Sequence, residues 1–390
     1  MRCRIRTRGA WGLLAVAAIA LLASPVWAQV VGVEQVGGQR SSSCCPPPAS
    51  VCPAPTTPGL PVPGTPLTPP GRVTPPGGAT PPGGEVPPSP VTPSVEEGAA
   101  PPLESLASGV QGGRGVAYGS YIDSALIRSQ FRFRFDAAYN DNRPDRAEFF
   151  YPKCGCFPGA PGPPLPEKRV DYQDLTAYLE GALNPRFSVF LEAPYRFLNP
   201  EVNGNTNGFS DLNAGFKAAL ISTPEQVLTF QFRTYIPTGD ADRGLGTDHV
   251  SLEPAFLLWQ QVSDKFYFEA ELRDWIPIGG TPGWEGNVIR YGVGLSYFII
   301  GEPQLPGRPV QNPLGVAPVL EFVGWTVLSG KEFAPDIGTK DAAGDTIVNA
   351  KLGLRINYGD HQSFAVSYGR ALTGAVWYKD IIRVEYRYAF

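Results

Sequence analysis

The sequence predicts an all-β chain, a transmembrane antiparallel β-barrel of about twelve strands behind a disordered proline-rich segment. Three observations carry this. Apolar and polar residues alternate strictly over many short stretches, the mark of a strand with one apolar and one polar face. Tight and long connections alternate along the chain, as in outer-membrane barrels. The chain opens on an export signal and ends on an aromatic strand, "VEYRYAF".

The start has the layout of a secretory signal. Arg2, Arg4, Arg6 and Arg8 precede an apolar run from Leu13 to Ala23, with Val26 and Ala28 before a cleavage point. That run is too short for a membrane span. Residues 1–28 are therefore read as a signal peptide, 29–115 as a spacer and 116–390 as the barrel. Loss of four arginines takes the formal charge from -4 to -8. An exported acidic chain is a poor nucleic acid binder.

From Ser41 to about Pro102 proline, glycine and threonine dominate, as in "TPPGRVTPPGGATPPGG". Such a stretch lacks the apolar residues that offset ordering entropy. As an extended left-handed helix it reaches up to ~190 Å. It reads either as a spacer across the periplasm, engaging the cell wall, or as a tail with no specific role. Cys44, Cys45 and Cys52 open it. Three cysteines cannot all pair with one another, so either another chain takes one or one thiol stays free.

Strands are expected in order. "SQFRFRFDAAY" sets Phe131, Phe133, Phe135 and Tyr139 against Arg132, Arg134 and Asp136. "LTAYLEGAL" and "FSVFLEAPYRF" repeat the pattern. Further runs lie near Phe209–Ile221, Val227–Ile236, Val250–Gln260, Phe266–Trp275, Asn287–Phe298, Pro318–Leu328, Thr346–Asn357, Ser363–Arg370 and Trp377–Phe390. The turns at Asn184–Pro185, Ser222–Glu225, Gln261–Asp264 and Tyr358–His361 are tight, and most of those between are long. Gly301–Val316 breaks the rule, being long on the short side. The parity puts both barrel ends in the periplasm. A soluble sandwich would also alternate, but aromatics at strand ends, among them Tyr139, Tyr195, Phe197, Tyr297 and Tyr358, fit membrane-interface girdles. Tyr386, Tyr388 and Phe390 read as a signal for the barrel-assembly machinery.

Two stretches resemble a known family. "GFSDLNAGFKAAL" (Gly208–Leu220) is similar to the Gly-aromatic-Gly-Asp-Leu strand start of the MetA-pathway phenol-degradation barrels, with Ser210 in place of the second glycine. "TYIPTGDADRGLGTDHVSLEPAFLL" (Thr234–Leu258) resembles the Pro-Thr-Gly loop and following strand of that family. The resemblance covers most of Tyr121 to Phe390. It implies an outer-membrane barrel tied to uptake of small, often aromatic, compounds, and it brings no catalytic residues.

If the apolar face meets lipid, the other lines a lumen. The alternation then puts Glu180, Glu192, Arg196, Asp211, Lys217, Arg233, Glu253, Glu269, Glu271, Arg273, Arg290, Glu321, Lys351, Arg355, Arg383, Glu385 and Arg387 inside. Of these Arg196, Asp211, Lys217, Arg233, Glu253, Glu269, Glu271, Arg273, Arg290, Lys351 and Arg355 are the candidates for selectivity. Arg196, Asp211, Arg233, Glu253 and Arg273 fall towards the outer opening, and Arg383, Glu385 and Arg387 towards the periplasm. The expected function is a channel or transporter for small solutes. The alternative is a closed barrel anchoring the spacer, with opposite charges pairing across the lumen.

No enzymatic activity and no cofactor are expected. His249 and Ser251 form a His-x-Ser pair on one strand face, but Leu252 and Glu253 stand where membrane phospholipases carry Asn-Gly. Asp240, Asp242 and Asp248 lack the full calcium loop. Cys154 and Cys156 are two ligands where zinc needs about four. They read as a local bridge or two free thiols.

Overall fold

The computed structural model describes residues 120–146, 153–301, 313–374 and 376–390. The signal peptide, the proline-rich segment, Cys44, Cys45 and Cys52, and most of the Gly301–Val316 connection lie outside them.

Twelve long strands make a closed wall. They are β1 (Gln130–Asp141), β3 (Val170–Asn184), β4 (Phe187–Pro200), β6 (Leu212–Ser222), β7 (Gln226–Ile236), β8 (Val250–Gln261), β9 (Phe266–Ile278), β10 (Val288–Tyr297), β11 (Leu314–Val327), β14 (Thr346–Tyr358), β15 (Gln362–Ala371) and β16 (Asp380–Ala389). Every neighbouring pair is antiparallel, and β1 with β16 closes the ring from Gln130↔Ala389 to Tyr139↔Asp380. Closure removes the edges, whose unpaired backbone groups lipid cannot satisfy. A short β5 (Thr206–Phe209) adds to β4. Three more short strands, β2 (Asp145–Arg146), β12 (Lys331–Ala334) and β13 (Gly338–Asp341), form a separate small sheet within the long connections.

The two rims differ. The terminal rim carries the start of β1, the end of β16 and the tight turns at 185–186, 223–225, 262–265 and 359–361. The long-loop rim carries the small sheet and the 3-10 turn Ala241–Arg243. All twelve expected strands form. Their limits move: β3 begins at Val170, β11 at Leu314 and β16 at Asp380.

The wall is inside out relative to a soluble protein. Along β16, Ile382, Tyr386 and Tyr388 are exposed outward while Arg383, Glu385 and Arg387 are buried inward. On the outer face Phe187, Phe216, Phe232, Phe230 and Phe256 run across adjacent strands with ring centroids 5.6–6.2 Å apart. An apolar exterior around a charged interior is the signature of a transmembrane barrel, because charges on the lipid face cost about 2–4 kcal/mol each at midplane.

Candidate functional site: the occupied lumen

The chain does not enter β1 from outside the barrel. Ser120 to Arg128 threads the interior, from the terminal rim at Ser129 up past the middle of the wall. Phe390 N–H donates to the Ser129 carbonyl at 3.1 Å, which fixes the lower end beside the C-terminus. At the upper end Glu321, on β11, takes the backbone N–H groups of Ser120, Tyr121 and Ile122 at 3.2, 3.0 and 3.0 Å. It also accepts the Ser120 hydroxyl at 3.0 Å. One carboxylate thus meets several donors that would otherwise be buried without acceptors. Arg290 and Arg383 donate to the Tyr121 and Ser120 carbonyls at 2.6 Å each. Thr229 Oγ1 donates to the Ala125 carbonyl at 2.5 Å.

Asp123 is the electrostatic centre. Its carboxylate meets Arg233 at 2.8 Å, Arg273 at 3.2 Å and Arg132 at 3.5 Å. Below it, Ala125 and Leu126 pack with Val227, Leu257, Trp259, Tyr267, Phe298 and Ala317 into an apolar layer inside the barrel. The wall makes room for the segment. A Cβ on Gly294 would lie 3.1 Å from Ile122 Cδ1, and one on Gly292 would lie 3.3 Å from Ile122 Cγ1.

The wall residues picked out by alternation fall into distinct settings. Arg196 forms a two-point pair with Asp174 at 2.8 and 2.9 Å. Lys217 meets Glu180 at 3.1 Å. Arg233 lies 3.6 Å from Glu192 and 3.7 Å from Glu253, and Arg273 lies 2.8 Å from Glu253. Glu271 binds Arg290 at 2.7 Å and also Arg273. Glu269 is buried on the same strand. Arg355 and Arg387 converge on Glu385, the first at 2.9 Å. Asp211 stands apart from the ion pairs. It accepts the backbone N–H groups of Gly239 and Thr247 at 3.0 and 2.8 Å, and so latches the 237–249 loop to the wall. Tyr386, Tyr388 and Phe390 are exposed on the outer face beside the terminal rim.

Arg383 is misplaced in depth by the sequence reading. It belongs to the long-loop half, where it grips Asp136 at 2.6 and 2.8 Å. The reason is that β16 starts at Asp380 rather than Trp377 but still ends at Ala389, so Arg383 stands only three residues into the strand from the long-loop side. Trp377 and Tyr378 precede the strand and are buried with Trp325 and Tyr121.

Above the threaded segment the lumen keeps a cavity of about 170 Å³ on the long-loop side. Its two sides differ in their mix of charges and rings. Asp136, Asp174 and Glu192 come from β1, β3 and β4 and Asp211 from just before β6, interleaved with Arg134, Arg196 and Arg233 of β1, β4 and β7. Trp275, Arg290, Trp325, Lys351 and Arg383 come from β9, β10, β11, β14 and β16. Lys351 is 3 % exposed. Its ammonium lies 3.3 Å from the ring centroid of Tyr121 and 5.4 Å from those of Trp325 and Tyr378. The Arg383 guanidinium lies 3.8 Å from the same Tyr121 ring.

His249 and Ser251 are both buried, but no hydrogen bond joins them. His249 Nδ1 pairs with the Thr247 carbonyl at 2.8 Å, and burial holds its imidazole below the ordinary histidine range. The Ser–His hydrogen bond of an activated nucleophile is therefore not made. Among the described residues no group of three or more His, Cys, Asp or Glu side chains is placed to hold a metal ion. Cys154 and Cys156 form a disulfide with each other in the loop after β2.

No family model matches the chain, and no curated protein does. Similar solved structures include an outer membrane channel and a porin. The COG4313 outer membrane channel from Pseudomonas putida F1 is 12 % identical, with 70 % of this chain and 100 % of that one covered and a TM-score of 0.43. The KdgM porin is 9 % identical, with 67 % and 99 % covered and a TM-score of 0.36. LpxR from Salmonella typhimurium is 12 % identical, with 67 % and 100 % covered and a TM-score of 0.37. At this level of similarity the three assign no activity to the chain.

Proposed function

We propose that this chain is an outer-membrane channel for small solutes, aromatic compounds among them, held shut at rest by its own Ser120–Arg128 segment. The observation that carries this reading is the charged lumen inside an apolar, closed wall, with an open cavity above the threaded segment. A barrel of twelve strands lies between side-chain-filled barrels of about eight and open pores of about sixteen or more. Here a backbone segment fills the difference. The long-loop rim faces the cell exterior and both barrel ends, the start of β1 and the end of β16, face the periplasm, in keeping with the tight turns gathered at the terminal rim. The proline-rich segment is a periplasmic spacer on this reading, and Tyr386, Tyr388 and Phe390 guide insertion by the assembly machinery.

Aromatic solutes fit the Trp275, Trp325 and Trp377 side chains on the cavity wall. The resemblance of Gly208–Leu220 and Thr234–Leu258 to the phenol-degradation barrels supports the same class. A second reading draws on the dense ion pairing about Asp123: a permanently closed barrel that anchors the spacer to the cell wall or a partner. Single-channel recording of the full mature chain in a planar bilayer separates them. Discrete current steps support the channel. Silence from folded, inserted protein supports the anchor.

A further inference from the structure

Among the described residues Lys351 is the one cationic lumen candidate with no salt bridge to a carboxylate. Among the described residues no ion pair or hydrogen bond reaches its ammonium, and three aromatic rings surround it. Ring faces attract a cation through their quadrupole. They do not accept its three N–H donors as oxygen does. The neighbouring charges are all engaged. Glu321 is bound to the Ser120–Ile122 backbone, and Asp136 is gripped by Arg383. Arg290 is held by Glu271. The free donors of Lys351 thus sit on the border of the cavity, with an indole on the same wall.

The space has the right scale. About 170 Å³ is on the order of the ~150 Å³ apolar cavity known to hold benzene. A carboxylate against Lys351 would supply the missing oxygen acceptors, and its ring would stack on Trp325 or Trp377, themselves 5.0 Å apart and edge to face. Arg290 and Arg383 line the same side of the cavity as Lys351, and the nearby carboxylates Glu321 and Asp136 are already engaged, so an incoming carboxylate meets cations there.

We infer that the long-loop cavity is a binding site for small aromatic carboxylates, with Lys351 as the carboxylate anchor and Trp325 and Trp377 as the ring platform. This rests on the channel reading for its biological use, but the site is testable without it. Benzoate, benzyl alcohol and benzylamine serve as probes, with binding to the full chain in detergent read by calorimetry and by tryptophan fluorescence. The expected result is binding of benzoate in preference to both neutral and cationic rings. Lys351→Met should weaken benzoate by about tenfold or more, the loss of a charged hydrogen bond. Lys351→Arg, which keeps the charge, should hold most of the affinity and so guards against a folding defect. Equal binding of benzoate by wild type and Lys351→Met would overturn the inference, as would equal binding of benzylamine or no binding of benzoate. Current steps recorded alongside report on the channel independently. Conduction without benzoate binding sinks only the site. Benzoate binding through Lys351 without conduction sinks only the channel.

Discussion

Asp123 Oδ2 and Arg233 Nη2 lie 2.8 Å apart, and this pair ties the threaded segment to the barrel wall. Arg273 and Arg132 share the same carboxylate. Removing one partner of a buried charge cluster leaves the rest uncompensated, at a cost of about 3–5 kcal/mol. Asp123→Asn should therefore release the segment far more often while leaving the wall intact. Planar-bilayer recording checks this, the expected outcome being a higher open fraction than wild type with an unchanged β-sheet circular dichroism signal.

Glu321 holds three consecutive backbone N–H groups of the segment. Glu321→Ala leaves those donors without an acceptor, each worth about 1–3 kcal/mol. Hydrogen exchange at Ser120, Tyr121 and Ile122 should speed up by about tenfold or more, because local opening sets the rate. Amides in β14 and β15 should keep their protection.

Gly294 is small because Ile122 lies against it, with a Cβ there reaching to 3.1 Å. Gly294→Val should push Ile122 out of place, at about 1–3 kcal/mol for overpacking. The double variant Gly294→Val with Ile122→Ala should recover part of that loss, since contacting residues couple. Thermal melting of the two single variants and the double variant gives the coupling energy, and strict additivity would argue against the contact.

Asp145, in the small sheet of the long loops, is buried, and burial pushes its carboxyl up to about 8. A carboxylate raised above its unfolded value binds its proton more tightly in the folded state, so stability falls as pH rises from the ordinary carboxylate range to about 8. The small sheet should thus be better protected from proteolysis at pH 5 than at pH 9. Asp145→Asn should flatten that dependence. A small sheet that is no less resistant at pH 9 would contradict the assignment.

The wall was legible in the sequence because a period of two in polarity leaves little choice when one face meets lipid. Arg233, Glu253, Arg273 and Lys351 all come out inward by counting alternate residues from an aromatic outer face. The threaded segment was not legible. "SYIDSALIRS" has neither alternation nor helical spacing, and its partners Glu321, Arg290 and Arg273 come from strands about 150 to 200 residues away. One local trace exists: Gly292 and Gly294 on the inner face of β10, where glycine in a strand marks a close approach. The depth error at Arg383 has a similar origin. Trp377 and Tyr378 continue the apolar run into β16, yet they turn inward before the first ladder pair.

The most direct test of a lumen shut by its own chain uses Ser120 and Ser367, whose hydroxyl oxygens lie 3.1 Å apart between the segment and β15. Ser120→Cys with Ser367→Cys, in a chain whose native cysteines are replaced by serine, allows the two to be bridged by oxidation and parted by reductant. Single-channel recording should find the oxidised chain silent, and reductant should restore the openings of the cysteine-free parent. A bridge that does not form would contradict the threaded position. An oxidised chain that conducts like the parent, or a parent that never conducts, would contradict gating by the segment.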